Sequence, residues 1–128
     1  MANAFTNKGV AILATATDIY QVPSTVNSSV VHSIYIANVD GTNAATVNIE
    51  VSTDGAGTSA PSFFHVAKTV QVPADSSLIL DKPINLRNAS LGTGGDKMRA
   101  TASAAGDLEC FISVLEITNE CPISVKLN

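Results

Sequence analysis

The chain has 128 residues, 45% of them apolar and only 14% charged, with a net charge of −4. That is one domain with enough apolar side chain for a core, so a disordered chain is excluded. The seven Lys and Arg are scattered, which argues against nucleic-acid binding, and no apolar run is long enough for a transmembrane helix.

No segment carries a 3.6-residue apolar stripe. Alternation of period two recurs instead, broken by turn signals every ten to fifteen residues. The opening "MANAFTNKGVAILATA" holds one lysine and an apolar run too short for a secretory signal, so it reads as a strand over residues 9–17. Residues 1–8 read as an N-terminal arm. A short extended piece at 18–22 ends at Pro23. "VVHSIYIANV" at 30–39 is apolar on both faces, as in a central strand. Asp40-Gly41 turns the chain, and Val47, Ile49 and Val51 alternate with Asn48 and Glu50 on its return over 45–52.

Residues 53–62 form a loop of small residues. "FFHVAKTVQVP" (63–73), "DSSLILD" (75–81) and the short run 84–87 after Pro83 are further strands. The loop 88–97 holds three glycines but precedes no helix, so it is no phosphate cradle. "KMRATASA" alternates from Lys97 onward, and a turn at 105–107 leads into "LECFISVLEIT" (108–118). There Cys110, Ile112 and Val114 share one face while Phe111, Leu115 and Ile117 share the other. Such a strand is covered on both sides, or its outer face is an interface. The tail 119–128 alternates Ile123, Val125 and Leu127, and reads as a C-terminal arm or added edge strand.

The sum is an all-β domain over 1–118: an antiparallel sandwich of about eight strands, wired as a jelly roll or like an immunoglobulin domain, with a closed barrel as the alternative. Catalytic signatures are missing. His32 and His65 each stand alone in a strand, the aspartates sit where they cap turns, and no G-x-S-x-G elbow is present. Neither "NVDGTN" nor "TGGDK" has the spacing of a calcium loop, and no CxxC pair exists. No cofactor or metal is therefore expected. Cys110 reads as a core thiol and Cys121 as a thiol in the tail, both reduced. With no Trp for a sugar platform, the adjacent Phe63 and Phe64 are the one aromatic pair that places a ring outward. The expected interface residues are Phe63, Phe64, Ile123, Val125 and Leu127.

The stretches "SSVVHSIYIANVDGTNAATVNIEV", "FHVAKTVQVPADSSLILDKPINL" and "KMRATASAAGDLECFISVLEI", with the opening "NKGVAIL", span residues 5–118. They resemble small β-rich proteins encoded by tailed bacteriophages, especially of aquatic bacteria. "VPADSSLILDKPINL" and "ANVDG" carry the likeness most specifically. The resemblance implies a virion structural component, assembled in the host cytoplasm, and assigns no catalytic residue. It points first to a capsid decoration (cement) protein: a homo-oligomer, expected to be a trimer, bound to the major capsid protein. A neck, tail or baseplate component and a receptor- or glycan-binding module are the alternatives.

Overall fold

The computed structural model describes residues 3–56 and 62–118. Alternation predicts pleated strands, and nine are found among the described residues: β1 (Ala4–Ile12), β2 (Thr17–Gln21), β3 (Ser28–Asn38), β4 (Ala45–Ser52), β5 (Phe63–Val72), β6 (Ser77–Leu80), β7 (Ile84–Arg87), β8 (Lys97–Ala102) and β9 (Leu108–Ile117). All pairings are antiparallel.

The wiring follows from folding one long hairpin and then rolling it. β4 pairs with β5, β3 with β6 and β7, β2 with β8, and β1 with β9. Rolling adds β3–β9 and β4–β8. The result is a front sheet in the order β1-β9-β3-β6, with β7 also on β3, and a back sheet in the order β2-β8-β4-β5. This is the jelly roll, its sixth strand broken into β6 and β7 at Lys82-Pro83, because proline cannot donate to a ladder. The sandwich is open, which removes the barrel, and the strand order of its sheets is not that of an immunoglobulin domain.

Between the sheets lies one core, from Ile34, Ile36, Leu108 and Ile112 in front to Val47, Ile49, Met98 and Ala100 behind, all almost fully buried. Strand β4 shows how sequence made it: its odd-numbered apolar residues are buried, while Thr46, Asn48 and Glu50 are half-buried. Three expectations need correction. The first strand begins at Ala4, not Gly9, so residues 4–8 are not an arm: they pair with β9 residue by residue. Their sequence hides this, because both of their faces are exposed and nothing required alternation. Strand β3 is central in its sheet, but its outer face is open to solvent rather than covered. Asp96 is not an exposed turn residue. It is 3% exposed and ties three segments together.

The Asp96 carboxylate accepts the Gly55 N–H at 2.6 Å, the Ser52 hydroxyl at 3.1 Å and the Arg87 N–H at 3.1 Å. Ser52 Oγ in turn accepts the Lys97 N–H at 2.9 Å. Gly55 takes a positive φ of 74°, and a Cβ there would lie 2.5 Å from that of Ala89, so only glycine fits this crossing. At the same end, Tyr20 donates its hydroxyl proton to Glu116 at 2.6 Å, and Ser29 Oγ lies 2.8 Å from it. Burial, then the bond to Glu116, pushes the Tyr20 phenol well above its ordinary value.

Two measurements check these anchors. Asp96→Ala strands a set of buried donors and is expected to lower unfolding stability by at least about 3 kcal/mol in urea titrations. The neutral Tyr20 phenol is favoured by the fold, so its contribution is complete below about pH 10 and declines above it, as the unfolded phenol ionises first. Tyr20→Phe should flatten that alkaline loss.

Candidate functional site

The two outer faces of the sandwich differ in chemistry. On the back sheet, Arg99 Nε bonds Glu50 at 2.8 Å, His65 Nε2 lies 3.5 Å from the same carboxylate, and Lys97 meets Asp18 at 3.1 Å. The Arg99–Glu50 and Lys97–Asp18 contacts are ion pairs across neighbouring strands. The front sheet shows the opposite pattern. Core side chains of β9 point inward at Leu108, Cys110, Ile112 and Val114, so Glu109, Phe111, Ser113 and Leu115 point out. Register then aligns Gly9, Phe111, Tyr35 and Ile79 in one row across all four strands.

Within that row Phe111 is 44%, Tyr35 41% and Ile79 55% exposed. The Tyr35 and Phe111 rings lie 6.5 Å apart, in aromatic contact range. A second row joins Phe5, Leu115 and Val30. Phe5 is 78% exposed, its ring 5.7 Å from that of His32, which bulges out of β3 where the register shifts. The charged residues on this outer face, Glu109 and Arg87, stand at opposite ends of β3, beside Ala37 and Ser28. Where Gly9 has no side chain, the face sinks into an open depression of about 410 Å³, walled by Phe111 and Tyr35. Exposed rings and aliphatics on one sheet face, with its charged residues at the ends, make it the candidate docking surface.

Beneath the depression, on the core side of β9, Cys110 is a buried free thiol. Burial pushes its pKa up to about 12, so it is a packing group and not a nucleophile. Among the described residues, no group of three His, Cys, Asp or Glu could hold a metal, and no helix is long and apolar enough to cross a membrane.

The phenylalanines expected at an interface lie elsewhere. Phe63 and Phe64 start β5, at the edge of the back sheet. The Arg99 guanidinium sits 3.7 Å above the Phe63 ring, while Phe64 is 59% exposed. Ile123, Val125 and Leu127 lie outside the described residues. Sequence reasoning did not single out Phe5, Tyr35 and Ile79, which join Phe111 only through strand register. The one signal was the second apolar face of β9.

No protein-family model matches the chain, and no curated protein does. Among solved structures, a chain of the infectious bursal disease virus T13 particle has a TM-score of 0.52 at 5% identity, over 91% of this chain and 31% of that one. A subunit of the Bacillus endospore appendages, described as disulfide-linked pili, gives 0.49 at 18% identity, over 91% and 87%. The cyanophage Pam1 capsid asymmetric unit gives 0.46 at 18% identity, over 90% and 84%. The likeness to the bursal virus chain is one of fold; for the two scores under 0.5 it stops at general shape.

The Cys110 reading has a direct check in a background where Cys121 is serine. Native protein should react with a thiol reagent at neutral pH at least about a hundredfold more slowly than urea-unfolded protein.

Proposed function

We propose that this chain is a structural subunit of an assembly, and within that class a virion structural protein that decorates an assembled capsid. One observation carries the reading: the front sheet offers exposed Phe5, Phe111, Tyr35 and Ile79, with Glu109 and Arg87 only at its ends, while the back sheet pairs Arg99 with Glu50 and Lys97 with Asp18. Docking such a face removes apolar area from water and strips few ions, which favours permanent protein contact. Jelly rolls recur in viral capsid proteins. The likeness of "VPADSSLILDKPINL" and "ANVDG" to tailed-phage proteins narrows the reading to a virion.

In this reading the subunit binds shell lattice and not free shell protein, so its binding energy adds to shell stability. The major capsid protein is the partner. Phe64 at the rim of β5 and the segment bearing Ile123, Val125 and Leu127 supply secondary contacts.

Co-sedimentation with undecorated particles tests the reading. Phe111→Glu and Tyr35→Glu place a charge in the contact and should each weaken binding by more than about tenfold. Gln71→Lys, on β5, should bind as the parent does. Copy number on purified particles should approach that of the major shell protein. A single ring's worth would indicate a neck or tail component instead. Glycan binding that is lost with Phe64→Ala would indicate a receptor module.

A further inference from the structure

The two sheets have four outer edges, and three are blunted against further pairing. Strand β2 has five residues and a register shift between Asp18 and Tyr20. The β6–β7 edge is two four-residue pieces separated by Pro83. Strand β5 shifts register twice against β4, and its Thr69 sits at a φ of 52°, rare for a β-branched residue, with its N–H bonded to Asn48. Such features keep an edge from recruiting strangers. Strand β1 has none of them. Its nine residues pair with β9 in unbroken register, with no proline and no positive φ. Residues 4–9 are exposed on both faces, so a long regular edge stands free of the back sheet.

We infer that β1 is the pairing edge for a second copy of this chain, joined antiparallel about a two-fold axis at Asn7. The inference deepens the assembly reading by naming one partner. Two-fold pairing makes each contact occur twice. With Asn7 opposite Asn7, Phe5 of each copy stands opposite Gly9 of the other, Thr6 opposite Lys8, and Ala4 opposite Val10. Odd-numbered residues of β1 share the outer face, where Gly9 opens the depression beside Phe111. Phe5 leaves His32, turns across the strand and covers its partner's Gly9, as an aromatic does over a glycine on a neighbouring strand. A slip that set Lys8 against Lys8 would oppose like charges, which selects the Asn7 register. Two front sheets then become one continuous sheet, and the docking face doubles without changing side.

The test uses the purified full chain without particles, so its failure leaves the capsid reading standing. Analytical ultracentrifugation at micromolar concentration should show a dimer. A Cβ at Gly9 meets nothing closer than 3.9 Å, so Gly9→Val fits the fold while filling the seat. It should weaken dimerisation by at least about tenfold with an unchanged circular dichroism spectrum, and Phe5→Ser should do the same. In a Cys121→Ser background, Asn7→Cys places two thiols across the axis, about 5 Å apart between Cα atoms, and should give a disulfide dimer on mild oxidation. Thr6→Cys places them about 8 Å apart and should not. A monomer, the trimer expected from sequence, a Gly9→Val dimer of parental strength, or equal crosslinking of both cysteine variants would each overturn the inference.

Discussion

The register of β9 between β1 and β3 determines which side of the front sheet is dry. Nine successive pairs bind it to β1, and its pairs with β3 run from Ser28↔Ile117 to Asn38↔Leu108 with one bulge. Side chains alternate strictly along a strand, so a slip by one residue would exchange Cys110, Ile112 and Val114 for Glu109, Phe111 and Ser113. The core would gain a carboxylate and lose its aliphatics. The same register that fills the core therefore lays the aromatic row on the opposite face. Core and docking surface are two products of one alignment.

That alignment is held at both ends of the sandwich by polar side chains. At one end, Asn38 donates to the carbonyls of Val72 and Asn43, joining β3 to the strand that follows β4. At the other, Asp96 gathers the Ser52 hydroxyl from the end of β4 and backbone donors from β7 and the loop after β4, and Tyr20 reaches Glu116 across the sheets. Among the described residues the buried polar side chains Ser29, Asn38, Ser52 and Asp96 are all paired, as burial away from water requires. The jelly roll needs such anchors because its pairings are remote in sequence: β1 finds β9 only after the whole chain has passed.

The two outer faces differ in how their charges are arranged. A face with paired ions prefers water, since desolvating them costs more than their mutual attraction returns. A face of rings, Leu115, Ile79 and neutral Ser113 and Ser33 loses little water-bound energy on contact. The cross-strand ion pairs Arg99–Glu50 and Lys97–Asp18 lie on the back sheet, while Glu109 and Arg87 stand at the ends of the front face.

Alternation placed β4 at 45–52, Pro83 marked the start of β7 at 84–87, and the recurring period of two favoured an all-β sandwich with a closed barrel as the alternative, because half-buried strands print that period on the chain. The second apolar face of β9 was also legible, though not its purpose. Strand β1 was legible only from Gly9 onward, since residues 4–8 are exposed on both faces and carry no pattern. Asp96 reads as a turn aspartate, and only the crossing of three segments reveals its burial. Phe63 and Phe64 were the obvious aromatic pair, yet Arg99 from β8 covers the first ring. Phe5, Phe111, Tyr35 and Ile79 share a face because β1, β9, β3 and β6 lie side by side, an order that no local pattern encodes. Periodicity is a property of one strand at a time; the docking face belongs to their neighbours, and neighbours are settled only when the roll closes.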